Sequence, residues 1–145
     1  MSHLIVHGGV PLHGRVRPSA NKNAVLPVLC ATLLAGEPVQ LHGVPDITDV
    51  RKLLDFFASI GSRIERDGAR GSVRLDHREA WFDPRSHRLP DAMRSSVLLV
   101  PGLLARFGSV WIAGDVQGCS LGVREIDPHV EVFECFGAHV ARDAQ

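Results

Sequence analysis

The stretch TDVRKLLDFFASIGSRI, residues 48–64, changes from a helical to an extended pattern within one short segment. Four apolar residues in its first part share one helical face and predict a helix over 48–59: Val50, Leu53, Leu54 and Phe57. Gly61 is placed to end this helix. Ile64 and the alternating pair Val73 and Leu75, separated by Asp67-Gly68, predict a β-hairpin. The sequence therefore predicts a helix that is followed directly by two antiparallel strands.

The segment before this stretch predicts a further helix and three short strands. The helix begins at Asn21, which can cap it as Ser19 can, and ends at Gly36. Pro27 fits such a helix only near its first turns. The predicted apolar face contains Val25, Val28, Leu29 and Leu33. The predicted strands are His3–His7, Leu12–Arg17 and Val39–Leu41.

The segment after the hairpin begins with an irregular connection over residues 78–91. A third helix is predicted over about 91–107, and Pro101 should kink it or mark its packing against a neighbour. A fourth helix is predicted from Asp127 as N-cap, with Pro128 as the first helical residue. Its predicted apolar residues are Val130, Phe133 and Phe136. Short strands are predicted at Val110–Ile112 and His139–Arg142.

The chain also repeats its own pattern, since residues 60–64 recur as residues 136–140. Repeat one covers about 21–77 and repeat two about 91–145, each with the order helix, strand, helix, strand, and repeat one with a closing strand. The closing strand has no counterpart in repeat two. The resulting unpaired edge at His139–Arg142 predicts self-association or pairing with a complementary chain.

Composition excludes several classes of function. Sixteen Lys and Arg residues balance sixteen Asp and Glu residues, so the electrostatic footprint of a nucleic-acid or anionic-membrane binder is missing. The first residues lack the pattern of a signal peptide, and no apolar run is long enough to span a membrane, which predicts a cytoplasmic protein. The cysteine and histidine spacings predict neither a metal site nor a cofactor.

The chemistry is expected in residues 118–129, a glycine-bracketed loop that runs into a predicted helix start. Cys119 and Arg124 lie in this loop, just before a predicted helix start. A helix N-terminus and a nearby guanidinium lower the pKa of a thiol, so thiolate becomes available near neutral pH. Cys30 and Cys135 have apolar neighbours at helical positions and are interpreted as core thiols.

Five motifs, in order along the chain, resemble those of the UDP-N-acetylglucosamine 1-carboxyvinyltransferases, a family of enolpyruvyl transferases. They are Gly8-Gly9 with Leu12, Gly14 and Val16; Ser19-Ala20-Asn21-Lys22-Asn23-Ala24; Met93-Arg94-Ser95-Ser96; Ala105-Arg106-Phe107-Gly108; and Gly118-Cys119 with Gly122, Arg124, Asp127 and His129. The resemblance covers nearly all of this chain but only about the first third of such an enzyme. It implies an inside-out α/β barrel, with residues 1–20 as strands of the other domain and residues 21–145 as an incomplete transferase domain.

The resemblance also implies the reaction and the residues that carry it. The family transfers the enolpyruvyl group of phosphoenolpyruvate to the 3-hydroxyl of UDP-N-acetylglucosamine in peptidoglycan synthesis. Cys119 would be the general acid and the residue that fosfomycin alkylates. Lys22 would bind the phosphate or carboxylate of phosphoenolpyruvate, and Asn23 the sugar, while Arg94 and Arg124 would clamp phosphate oxygens. The implied substrate-binding set is Lys22, Asn23, Arg94, Arg124, Glu125, Ile126, Asp127 and Pro128.

Two alternatives stay open from the sequence. Asn21 and Glu125 depart from the family pattern of Gly-Ala before the Lys-Asn pair and of proline after the loop arginine, which leaves the acceptor open. A different acceptor, such as shikimate 3-phosphate or a secondary metabolite, is the first alternative, although the shikimate enzyme uses no thiol at the position of Cys119. A non-catalytic half-domain that binds a partner chain is the second.

Overall fold

The computed structural model describes residues 3–18, 20–91, 93–112 and 126–141. In these ranges the α-helices are α1 Lys22–Ala31, α2 Thr48–Ser59, α3 Val100–Phe107 and α4 Asp127–Cys135. Two 3-10 helices, Thr32–Leu34 and Arg94–Leu99, extend α1 and precede α3. The strands are β1 Val39–His42, β2 Arg63–Asp67 and β3 Ser72–Asp76.

The predicted helix–hairpin unit is confirmed. Helix α2 spans the predicted residues and buries one face: Val50, Leu53, Leu54, Phe56 and Phe57. Gly61 follows it with a φ of +86°, a left-handed conformation that a residue with a Cβ rarely adopts. Strand β3 lies between β1 and β2 and is antiparallel to both, with Leu75 opposite Val39 and Ile64. Val73 and Leu75 are buried against the helices, so α1, α2 and the sheet share one core.

Helix α1 is also confirmed, with one change of face. The Asn21 side chain accepts a hydrogen bond of 2.7 Å from the backbone N–H of Asn23, as expected of an N-cap, and Pro27 lies inside the helix. The buried residues are Leu26, Leu29, Cys30 and Leu33. Val28 was predicted on this face but is 50% exposed, because the buried stripe passes through Leu26 and Cys30 instead.

The single helix predicted over 91–107 is wrong: a 3-10 helix and α3 form in its place. Pro101 lies in the first turn of α3, where a missing N–H costs no intrahelical hydrogen bond, so the α-helix begins there rather than running through the proline. Gly102 approaches α1 closely, since a Cβ on it would lie 3.1 Å from the Leu33 Cβ and 3.3 Å from the Cys30 carbonyl oxygen.

Arg106 connects α3 to the first unit, which comprises α1, α2 and the three strands. Its Nη1 donates hydrogen bonds to the carbonyl oxygens of Leu33, at 3.0 Å, and Ala35, at 3.2 Å. Its Nη2 donates to the carbonyl oxygen of His77, just after β3. One planar guanidinium therefore satisfies three carbonyl groups at the junction of the 3-10 helix, β1 and the end of the sheet.

Three predicted strands are absent from the residues described, and a fourth is absent as far as it is described. His3–His7, Leu12–Arg17 and Val110–Ile112 contain no strand, and neither do residues 139–141 of the last predicted strand. A strand requires a neighbouring backbone to hydrogen-bond with, and the one sheet described pairs only β1, β2 and β3. The apolar side chains of residues 3–18 are accordingly exposed, with Leu4 at 90% and Leu12 at 95%.

Helix α4 forms where a fourth helix was predicted, but Asp127 is its first residue and Ile126 takes the N-cap position. None of its residues is buried. Cys135, predicted to be a core thiol, is exposed, and Phe136 is 89% exposed. These two core predictions are wrong for the structure described, because helical periodicity identifies an apolar face without showing that a neighbour covers it.

The α/β class is thus confirmed, while the barrel remains a prediction. The described part of residues 91–145, predicted to be repeat two, contains α3 and α4. No helix in the described ranges is long and apolar enough to cross a membrane.

Candidate functional site

An open cavity of about 750 Å³ lies between the start of α1 and the turn that leads into α2. The residues that line it are Ala20, Lys22, Pro45, Asp46, Ile47, Thr48 and Asp49. Helix α2 begins here without a side-chain cap, since Ile47 holds the N-cap position. The first N–H groups of a helix have no intrahelical partner and carry a partial positive charge, so this end of α2 favours anions.

Lys22 is the first residue of α1 and is held at this cavity by the cap at Asn21. Its ammonium forms an ion pair with the carboxylate of Asp49, in the first turn of α2. The Lys22 side chain is 55% exposed and that of Asp49 is 24% exposed. The pair therefore joins the starts of the two helices while leaving the ammonium accessible from the cavity.

Asp46, the second carboxylate at the cavity, is engaged by two arginines. Arg51 donates to both carboxylate oxygens, each at 2.7 Å, and Arg66 donates to Oδ1 at 2.6 Å. The hydrogen bonds from Arg51 and Arg66 hold the pKa of the Asp46 carboxyl well below its ordinary value. The residues that line the cavity thus carry one cation, Lys22, and two carboxylates, and the contacts of Arg51 and Arg66 offset the charge of Asp46.

The predicted substrate-binding residues in the described ranges lie at the starts of α1, of the 3-10 helix Arg94–Leu99 and of α4. Asn23 follows Lys22 and is exposed, but only Lys22 lines the cavity. Arg94 begins the 3-10 helix before α3. Ile126, Asp127 and Pro128 form the start of α4, where the Ile126 carbonyl accepts the N–H of His129 at 2.9 Å. Cys119, Arg124 and Glu125 lie outside the described residues.

Two side-chain contacts, one at the cavity and one between α3 and the sheet, do not follow from the sequence. Asp49 is an ordinary first-turn acid in the helical pattern, and its contact with Lys22 joins residues that are 27 positions apart. Arg106 belongs to the motif Ala105-Arg106-Phe107-Gly108, and this motif is the sequence signal that marks it. No local pattern predicts its three carbonyl partners.

The thiols differ in environment as far as they are described. Burial raises the pKa of Cys30 to about 12, so this thiol is not a nucleophile near neutral pH. The interpretation of Cys30 as a core thiol is confirmed, with 2% of its surface exposed. No group of three or more metal-ligating side chains that could hold an ion occurs in the part of the chain described.

The site that this α/β unit presents is thus an open cavity between the starts of α1 and α2, lined by Lys22 and by two carboxylates. The chain belongs to the EPSP synthase (3-phosphoshikimate 1-carboxyvinyltransferase) family, whose family model matches residues 6–145. The enolpyruvyl transferase resemblance predicted from the motifs is thereby confirmed.

The chain is also similar to individual proteins of known name. The chain is 39% identical over 140 residues to the UDP-N-acetylglucosamine 1-carboxyvinyltransferases of Coxiella burnetii strains Dugway 5J108-111 and RSA 331 / Henzerling II. The match covers 97% of this chain and 32% of each relative, so the chain spans about a third of their length. Among solved structures, the enolpyruvyl transferase NikO from Streptomyces tendae matches with a TM-score of 0.58 and 30% identity, over 70% of this chain and 23% of that one.

Proposed function

We propose that this chain is the N-terminal part of a UDP-N-acetylglucosamine 1-carboxyvinyltransferase that acts in peptidoglycan synthesis. The observation that carries the proposal is the 39% identity to enzymes of that name over 97% of the chain. Lys22, which the motif comparison assigns to phosphoenolpyruvate, lines the cavity between the starts of α1 and α2, and this position supports the assignment.

The proposed reaction is an addition followed by an elimination. The 3-hydroxyl oxygen of UDP-N-acetylglucosamine bonds to C2 of phosphoenolpyruvate, the hydroxyl proton leaves to a base, and a proton adds to the methylene carbon C3. The C2–O bond to phosphate then breaks as C3 loses a proton, which restores the double bond and releases inorganic phosphate. Cys119 is proposed as the acid that protonates C3 and as the site of alkylation by fosfomycin.

Binding is proposed to divide between the start of α1 and the residues around the start of α4. Lys22 neutralises the phosphate or carboxylate of phosphoenolpyruvate, and Asn23 binds the sugar. Arg94 and Arg124 hold phosphate oxygens, for which a planar guanidinium suits two parallel hydrogen bonds. Glu125, Ile126, Asp127 and Pro128 complete the proposed nucleotide-side contacts.

The enzyme is proposed to act in the cytoplasm, with further segments that complete the barrel and supply the general base. Residues 1–20 are proposed to pair with the other domain and residues 21–145 to belong to the first. The exposed apolar side chains of the N-terminal arm and of α4 support this division, since such surfaces are usually covered by a partner. Without that cover, the isolated chain is expected to self-associate and not to turn over substrate.

A chimera tests the proposal. Residues 1–145 are joined to the part of a Coxiella burnetii relative that follows the matched region, and phosphate release from phosphoenolpyruvate is measured with and without UDP-N-acetylglucosamine. Release that depends on the acceptor, and that is lost in Cys119→Ala, is the expected result. A folded chimera that stays inactive while the parent relative is active would contradict the proposed function.

A further inference from the structure

The proposed substrate lysine has a partner already. Lys22 contacts Asp49, and both residues line the same cavity. The Asp49 carboxylate therefore competes with any anion for the ammonium of Lys22, and its negative charge repels that anion.

Asp49 differs from the other carboxylate at the cavity in its availability. Both oxygens of Asp46 accept hydrogen bonds from arginines, and Arg51 and Arg66 neutralise its charge. Asp49 has Lys22 as its recorded ion-pair partner. Asp49 is therefore the carboxylate at the cavity whose ion pairing changes when Lys22 binds a ligand.

The surroundings of Asp49 allow it to lose this partner. Its side chain is partly exposed, so the freed carboxylate gains water rather than becoming an unpaired buried charge. It also lies in the first turn of α2, where the helix dipole stabilises a negative group. The exchange of Asp49 for a ligand anion thus breaks a partly exposed ion pair, which is a weak interaction.

We propose that Asp49 is the resting counter-ion of Lys22, that a phosphate-bearing ligand replaces it when the site is filled, and that this competition sets the affinity of the site for anions. The inference rests on the proposed role of Lys22 as the anion-binding residue. Asp49 determines affinity through Lys22 without contacting the reacting atoms.

Binding of inorganic phosphate and of phosphoenolpyruvate to the chimera described above tests this, by isothermal titration calorimetry at constant ionic strength. Removal of the competing charge in Asp49→Asn should tighten binding by about threefold to tenfold, more for phosphoenolpyruvate, which carries the greater charge. Asp49→Glu retains the carboxylate and should keep the wild-type affinity within about twofold.

Asp55→Asn is the matched control, because it removes the same charge from an exposed position of α2. Asp55 lies six residues further along the helix, about 9 Å at 1.5 Å per residue, where salt screens most of the interaction. Its affinity for both anions should therefore stay within about twofold of wild type.

Lys22→Met separates the two levels of the proposal. If this substitution leaves anion binding unchanged, or if neither wild type nor Asp49→Asn binds either anion, the anion role of Lys22 fails and the inference with it. If Lys22→Met weakens binding but Asp49→Asn tightens it no more than Asp55→Asn does, Lys22 keeps its role and only the counter-ion role of Asp49 is overturned. A purely structural Asp49 would give that second result, with a lower melting temperature and no gain in affinity.

Discussion

The Nε2 atom of His77 lies 2.9 Å from the hydroxyl oxygen of Thr32, inside the core. The Thr32 hydroxyl donates its proton to the Leu29 carbonyl at 2.6 Å, so it accepts the proton of Nε2. The Nδ1 atom must then be the unprotonated nitrogen, and it accepts the hydroxyl of Ser62 at 2.7 Å. The neutral imidazole is thereby satisfied on both sides, and it links the end of α1 to the turn after α2.

The stability of the chain should fall between pH 6.5 and about 4 because of this imidazole. Burial, and secondarily the charge of Arg106, lower the pKa of His77 to about 4, against a smaller opposing effect of Asp76. The unfolded chain binds the proton below about pH 6.5 and the folded chain does not until about pH 4, so the contribution is present above this window and is lost as pH falls through it. Urea unfolding should show a loss on the order of 2 kcal/mol across the window.

The variant His77→Gln should lose most of this pH dependence, whatever its stability at neutral pH. His42→Asn is the control, since His42 is exposed at the end of β1. The Asp46 and Asp76 carboxyls, with their pKa values lowered by arginine neighbours, affect stability only at lower pH. An unchanged slope in His77→Gln would show that another group controls the transition.

Replacement of Arg106 by lysine should destabilise the fold. A single ammonium cannot reach the carbonyl oxygens of Leu33, Ala35 and His77 in the geometry that the guanidinium uses. The expected loss is about 2 kcal/mol, since hydrogen bonds to charged groups are the stronger ones and their acceptors would be left unpaired. Urea midpoints report it, and Arg70→Lys at an exposed position should change little. Equal midpoints for the two variants would contradict this role.

Gly102→Ala should lower the melting temperature, although alanine is the better helix former. The new Cβ would lie within 3.3 Å of fully buried Leu33 and of the Cys30 carbonyl oxygen, so one of these groups would have to shift by a few tenths of an ångström. The overpacking is expected to cost about 1–3 kcal/mol, against a propensity gain of at most about 1 kcal/mol, so the net effect is a loss of stability. Gly36→Ala, with nothing within 4 Å of the added carbon, is the matched control. A variant at position 102 that melts no lower than this control would show that α1 and α3 can separate slightly.

The three cysteines should differ in their reactivity toward iodoacetamide and fosfomycin. Iodoacetamide should reach exposed Cys135 but not Cys30, which is 2% exposed and has a raised pKa. Fosfomycin should modify Cys119 and leave Cys135 unmodified, because the proposed reaction needs a bound ligand site and not only an accessible thiol. Peptide mapping after a short exposure distinguishes these outcomes, and fosfomycin on Cys135 would argue against a specific site.

The sequence predicts the first unit well because its patterns are completed by neighbours within the unit. The apolar residues of α2 pack in one core with Val73 and Leu75 of β3. Prediction fails where the partner is elsewhere. Residues 3–18, which include Leu12, and the apolar face of α4 that continues to Phe136 have the apolar patterns of buried elements. Leu12 and Phe136 are nevertheless exposed.

The candidate site was predictable only in part. Lys22 was found through its motif and does line the cavity. Its pairing with Asp49 depends on how α1 and α2 are placed, which no local pattern contains. The tautomer of His77 likewise follows from three contacts that only the folded chain assembles.

The three carbonyl contacts of Arg106 also bear on the order in which the chain matures on the ribosome. His77, which follows the last strand, is made 29 residues before Arg106, an interval on the order of a few seconds at about 5–20 residues per second. During that interval the sheet and both early helices already exist as sequence, but the donor for their junction does not. The first unit therefore completes its packing only after α3 emerges, and a ribosome that stalls before that point holds a chain whose junction has not closed.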